Sequence, residues 1–259
     1  MNRIKRVAEA VLPRSMYEKV IEWRARRRER EKSRNRLKAY KNLTTQEIFT
    51  KVYEEGAWGK SDDPEQKFHS GTGSRGQEVV EAYVRAIEKF LRSFDKKPNI
   101  VDLGCGDFFV GSRIRELCGD YIACDIVAPL IAHNQEKFNR LNVDFRVLDA
   151  TQDELPDGEI VFIRQVLQHL SNDKIQKVVG KVASKYKYFV LTEGLPTSKS
   201  FTPNRDIPTG PEFRASIDSG IVLTKAPFNL KALEEHRICE IAEEGSLIVT
   251  TVYRLGTRE

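Results

Sequence analysis

Three acids and two glycines in the middle of the chain have the types and spacing to hold a charged nucleoside. Gly104 and Gly106 follow the apolar run "NIVDL", and Asp102 stands two residues before the first of them. Glycines after a strand remove the Cβ atoms that keep a ligand off the main chain. The spacing is Gly104, Gly106, Gly111, a GxGxxxxG pattern, and not the GxGxxG that cradles a pyrophosphate. A carboxylate at Asp102 repels a pyrophosphate but accepts hydrogen bonds from an ammonium. Asp125 lies 21 residues past Gly104 at the end of a second apolar run, where an acid can chelate two ribose hydroxyls. Asp149 closes a third run, within reach of an adenine amino group. The implied ligand has an ammonium, a ribose and an adenine, and no pyrophosphate. Each residue also has a plain structural role open to it: a tight turn for the glycines, helix capping for the acids.

Positioning such residues requires strands that end at one edge. Apolar, β-branched runs occur at 99–103, 121–125, 143–148, 159–163 and 187–192, with helical periodicity at 110–118, 128–140 and 172–184. That alternation predicts an α/β, doubly wound sheet of five parallel strands. "HRICEIAEEGSLIVTTVYRL" predicts a C-terminal antiparallel hairpin turning at Glu244-Gly245. Before the core, "TTQEIFTKVYEEGAW" and "RGQEVVEAYVRAIEKFLRSF" read as helices. The expected organisation is a basic amphipathic arm at 1–41, a helical cap at 42–96 and a Rossmann-like core at 97–259, with an acceptor-loop insertion at 194–228.

In this order, "VDLGCGD", "ACD", "VLDAT", "EIVFIRQVLQHLSN" and "YFVLTEG" resemble the successive motifs of the class I S-adenosylmethionine-dependent methyltransferases. The resemblance covers about residues 75–255. It implies S-adenosyl-L-methionine as cofactor, with the methionine end at Asp102, Gly104 and Gly106, the ribose at Asp125, and the adenine between Asp149 and Ala150. Cys105, Ile126, Arg164 and Gln165 complete the implied cofactor set. A looser likeness, carried by the Trp-Gly turn and the SGxGS run before the core, is to small methyltransferases of bacterial surface-polysaccharide and other glycan biosynthesis. At the end of the fourth strand the chain has Arg164-Gln165-Val166-Leu167. The Asn/Asp-Pro-Pro-aromatic motif of nucleobase amino methylation and the Pro-Cys pair of cytosine-C5 enzymes are both missing there, which disfavours a nucleic-acid base as acceptor.

Methyl transfer to a hydroxyl needs a general base. His169, Glu193 and His69 are the candidates, with Asp107 beside them; each could instead cap a helix or loop. Two polar segments are long enough to form an acceptor site. The first offers Trp58, Ser70 and Ser74. The second carries Asn204, Arg205, Asp206, Arg214 and Asp218, where arginines suit phosphate or carboxylate and Asn/Asp suit sugar hydroxyls. The expected acceptor is a sugar, glycan or phosphorylated sugar. A nonglycan metabolite, a nitrogen acceptor, an RNA-binding enzyme or regulatory protein using the arm, and a NAD-type oxidoreductase are the rival readings.

Composition bounds the rest. The chain has 259 residues, 40% hydrophobic and 31% charged, enough for one sizeable α/β core with appendages. Cys105, Cys118, Cys124 and Cys239 form no CxxC pair, and no spacing suits a resident metal, although an acid pair could recruit magnesium. The +5 net charge hides an asymmetry: residues 1–41 hold 15 Lys/Arg against 5 Asp/Glu, which leaves −5 for the remainder. No apolar run reaches 18 residues. The expected location is cytoplasmic; for the arm, peripheral contact at the inner membrane surface, packing on a partner chain and a solvated helix all stay open.

Overall fold

The computed structural model describes Met16, Val20, Trp23, Arg24, Arg27, Glu31 and residues 35–61, 66–198, 200–243 and 245–256. The chain divides into two compact units, Met1–Asn42 and Leu43–Glu259. In the first, the described residues through Tyr40 are helical. The remainder of the predicted arm, including Ile4, Val7, Val11 and Leu12, lies outside the described residues.

The second unit opens with α1 (Thr45–Glu55). Thr44 caps it in a capping box with Glu47, and Gly56 ends it in the left-handed conformation that a residue with a Cβ avoids. α2 (Gln77–Leu91) buries Val79, Val80, Tyr83, Val84, Ile87 and Leu91, the stripe its periodicity predicts. Then follow β1 (Ile100–Leu103), α3 (Phe109–Ile114), β2 (Tyr121–Asp125), α4 (Ala128–Lys137), β3 (Asp144–Val147), β4 (Ile160–Arg164), α5 (Asn172–Lys185), β5 (Tyr188–Pro196), β6 (Glu234–Glu243) and β7 (Ser246–Arg254).

The seven strands form one sheet in the order β3-β2-β1-β4-β5-β7-β6. The first five are parallel; β7 runs antiparallel between β5 and β6. This is the Rossmann-like sheet expected from the sequence, with the C-terminal hairpin. β5 is longer than its apolar run: Glu193–Pro196 continue the ladder against Val249–Ser246, so the predicted insertion at 194–228 begins inside the sheet. α2 packs on α3 and β6, and its buried face joins the strands in one apolar core. The 42–96 segment therefore contributes a core helix as well as a cover. The helix expected at 110–118 is α3 followed by a short 3-10 turn at Arg115–Leu117.

β1 and β4 are adjacent, yet their chains continue in opposite directions across the sheet. Their carboxyl ends thus flank the switch point, where ligands bind in such folds.

Candidate active site

The turn after β1 is built for close approach. Gly104 has φ +79° and Gly106 φ +55°, and the Gly104 and Cys105 N–H groups both bond the Cys124 carbonyl at 2.8 and 2.9 Å. A Cβ on Gly104 would stand 2.3 Å from a Val166 methyl, and one on Gly106 would stand 2.7 Å from Ser70 Oγ. Glycine is therefore required by the chain's own neighbours as well as by any ligand. Gly111 has a separate reason: a Cβ there would meet the buried Phe108 ring at 2.3 Å. The displaced third glycine belongs to packing.

Asp125 accepts from the Gly106 N–H (3.1 Å, Oδ2) and the Val127 N–H (3.0 Å, Oδ1). With about four lone-pair sites on a carboxylate, acceptor capacity remains for a diol. Burial, opposed by those backbone bonds, pushes its carboxyl up to about 6. Asp102 accepts from Tyr121 Oη at 3.0 Å, and burial lifts it to about 7 despite that bond. A buried acid whose desolvation outweighs both the Tyr121 bond and the attraction of Arg164 suits a cationic ligand group. Gly104, Cys105 and Arg164–Val166 across from them keep partial exposure among buried neighbours. These observations fit an S-adenosyl nucleoside with its ammonium near Asp102 and its ribose at Asp125.

Other implied cofactor residues have found partners within the chain. Asp149 caps its own turn, accepting from Thr151 N and Oγ1 through Oδ1 and from Gln152 Nε2 through Oδ2. The Ala150 carbonyl accepts from Lys181 Nζ. The Ile126 carbonyl accepts from Gln46 Nε2 of α1, which brings that helix to the β2 edge. Arg164 donates to the Gly73 carbonyl at 2.6 Å and to Ser74 Oγ at 3.1 Å, and its guanidinium lies over Tyr83. Gln165, at φ +55°, accepts from Ser74 Oγ. Arg164 and Gln165 thus fasten the 70–74 segment to β4, and Ser74 serves that junction. Ser70 accepts from the Asp107 N–H at 3.0 Å and pairs with Tyr53 Oη, covering the glycine turn from above.

The base candidates separate by tautomer and burial. His169 sits in a 3-10 turn after β4, buried, with its Nδ1 3.0 Å from the Glu212 carbonyl. A carbonyl only accepts, so Nδ1 carries the proton and Nε2 keeps a lone pair. Burial lowers the imidazole to about 4, so the ring is neutral at physiological pH. Trp58 stacks on it at 4.8 Å between centroids and donates Nε1–H to the Pro211 carbonyl at 3.1 Å. Gln168 Nε2 stands 3.4 Å from His169 Nε2. His69 is the opposite case: its Nδ1 accepts from the Gly71 N–H at 3.1 Å, so Nε2 bears the proton and the ring is a donor.

Glu193 does not stand free as a base. Its oxygens accept from the Leu167 N–H (2.8 Å) and Gln168 N–H (3.2 Å), and burial raises it to about 8. It fixes the turn that carries His169. Asp107 is ion-paired to Arg75 at 2.7 Å.

The second loop proves to be a clamp. Arg214 is fully buried, and it donates to the carbonyls of Leu167, Gln168, Leu170 and Arg205 and to Asn172 Oδ1. Those bonds take up the donors expected to meet an acceptor. Asp206 accepts from the Asn172 N–H at the start of α5, and Arg205 reaches the Ile217 carbonyl and Thr202 Oγ1. Tyr53, Gln46, Arg75 and the Glu212 carbonyl are site features that the motifs did not signal. A further cleft of about 530 Å³ opens between α1, residues 59–61 and 66–69, and the start of α4, with Tyr53, Lys60, Phe68 and His69 among its walls.

Residues 100–187, roughly a third of the chain, match the family model described as a methyltransferase domain. No curated protein matches the chain. Among solved structures it is similar to the N-methyltransferase NodS of Bradyrhizobium japonicum WM9 in complex with S-adenosyl-L-homocysteine (TM-score 0.56, 10% identity, 78% of this chain and 98% of that one). It is likewise similar to human N-acetylserotonin methyltransferase in complex with SAM (TM-score 0.54, 16% identity, 86% and 62% of the chains). A third is the magnesium protoporphyrin IX methyltransferase ChlM of Synechocystis PCC 6803 with bound SAM (TM-score 0.52, 14% identity, 82% and 98%). At such identities the shared property is the fold. It is the fold of methyltransferases whose named acceptors differ widely. Among the described residues no three His, Cys, Asp or Glu side chains gather to hold a metal, and no helix is long and apolar enough to cross a membrane.

Proposed function

We propose that the chain is a methyltransferase that uses S-adenosyl-L-methionine and delivers the methyl group to an oxygen of a sugar, glycan or phosphorylated sugar. The cofactor reading is carried by the glycine turn, the under-compensated Asp102 and Asp125 at one switch point, supported by the methyltransferase-domain match. When bound, the cofactor supplies an activated methyl on a sulfonium. Asp102 and the Gly104–Gly106 turn would hold its amino-acid end, and Asp125 its ribose.

The choice of oxygen rests on His169. An alcohol acceptor must lose its proton as its oxygen attacks, and an amine acceptor must be held unprotonated. A neutral imidazole, oriented by the Glu212 carbonyl and walled by Trp58, can take a hydroxyl proton at Nε2. Gln168 Nε2 must then yield its place to the acceptor. His69, a donor on the wall of the neighbouring cleft, suits a sugar oxygen as a hydrogen-bonding partner.

Methyl transfer from labelled S-adenosyl-L-methionine to panels of hydroxylated sugars, sugar phosphates and amines tests this directly. Turnover with sugars that falls at least about 100-fold in His169→Gln, with S-adenosyl-L-homocysteine binding retained, is the expected result. Turnover confined to amines would refute the choice of oxygen.

A further inference from the structure

The N-terminal unit carries a feature that methyl transfer does not use. Its charge is +10, from 15 Lys/Arg against 5 Asp/Glu in residues 1–41, on a chain whose remainder is −5. Met16, Val20, Trp23 and Arg27 are helical, and steps of four, three and four residues put them on one face. Met16 is 52% and Trp23 57% exposed, among the most exposed large apolar side chains of the described residues. The Arg27 guanidinium stands over the Trp23 ring, 5.6 Å from its centroid.

We infer that this face docks on an anionic lipid surface. Two properties must be met at once by whatever covers it. Dense cationic charge calls for a polyanion, and an exposed Met and indole call for an apolar phase beside that anion. A bilayer of acidic lipids supplies both: phosphate headgroups for Arg24, Arg27 and the rest of the basic run, and the acyl boundary for Met16 and Trp23. Indole is at home at that boundary, with its ring in the apolar layer and its N–H toward water. An RNA backbone would answer the charge and leave Met16 without a use. The −5 remainder is repelled by the same surface, so attraction is confined to the arm.

Vesicle co-sedimentation of the full chain, with neutral phosphatidylcholine and with phosphatidylcholine containing 30% phosphatidylglycerol, tests the inference. Binding to the anionic vesicles at least about tenfold tighter than to neutral ones is expected, with a blue shift of Trp23 emission read in a Trp58→Phe background. Met16→Ser with Trp23→Ser leaves the charge unchanged and should weaken binding at least about tenfold. Arg24→Gln with Arg27→Gln should weaken it and flatten its salt dependence. Binding that is unaltered by the Met16 and Trp23 changes would overturn the inference, as would binding to single-stranded RNA without binding to vesicles. S-adenosyl-L-homocysteine affinity, measured on the same Met16 and Trp23 variants, should stay at the wild-type value, which separates this result from any failure of the methyltransferase reading.

Discussion

At the scale of single residues, the proposed chemistry falls on two acids and one histidine. Burial raises Asp102 to about 7 and Asp125 to about 6, whereas a bound ammonium and ribose favour the ionised forms. Binding of S-adenosyl-L-homocysteine near pH 6.5 should therefore release protons, up to about one per site, as read by calorimetry in buffers of different ionisation heat. Proton uptake would contradict the assignment. Asp125→Ala should weaken that binding by about 1–3 kcal/mol through loss of charge-assisted hydrogen bonds. The His169 imidazole should stay neutral in an NMR titration to below pH 5, with its proton on Nδ1. Its folded value, about 4, lies below the ordinary 6.5, so the unfolded chain binds the extra proton first. The stability it contributes is whole above pH 6.5 and is lost as pH falls toward 4, an effect on the order of 3 kcal/mol. Urea midpoints should accordingly drop more steeply between pH 7 and 4 in the wild type than in His169→Gln. Equal slopes would show that the ring is not buried as described.

At the scale of elements, the turn after β1 and the turn after β4 are fitted to each other. Gly104→Ala places a methyl 2.3 Å from Val166 at φ +79°, which should cost about 2–4 kcal/mol in crowding and left-handed strain. Adding Val166→Ala should recover the crowding part alone, about 1–2 kcal/mol in a double-mutant cycle. The 197–233 segment depends on Arg214 in a similar way. Arg214→Ala leaves five acceptors around an empty site and should lower stability by about 2–5 kcal/mol, seen as a lower urea midpoint. Normal stability with weakened acceptor binding would restore Arg214 to the acceptor site. These fits mark the limit of what sequence could tell. β-branched runs and their spacing identify β1, β2, β4 and β5, because buried parallel strands need apolar side chains on both faces, whereas the edge strand β3 buries only Phe145. Arg205, Asp206 and Arg214 read as acceptor groups because arginine and aspartate suit polar ligands. Most of their actual partners are backbone carbonyls and N–H groups 9 to 47 positions away, and residue type does not encode such partners. Glu193 takes the capping role that was open to it, and its partners, the Leu167 and Gln168 N–H groups, are again distant in the chain.

Across the whole molecule, the proposed cofactor side rests on residues that the sequence motifs single out, and the proposed acceptor side rests on residues that folding brings together. Asp102, Gly104, Gly106 and Asp125 act through local geometry at strand ends, which short motifs encode. The proposed acceptor side would draw on Trp58, His169 and Pro211–Glu212, three separate segments joined only by folding. The seven-strand order joins them, since it sets β4 between β1 and β5 and so carries the His169 turn to the edge of the glycine turn. This edge is proposed to hold an S-adenosyl nucleoside. Isothermal titration of the full chain with S-adenosyl-L-homocysteine and, separately, with NAD tests it most directly. One saturable site for S-adenosyl-L-homocysteine, weakened in Asp125→Ala, and no heat of binding from NAD are expected. Binding of NAD without S-adenosyl-L-homocysteine would contradict it.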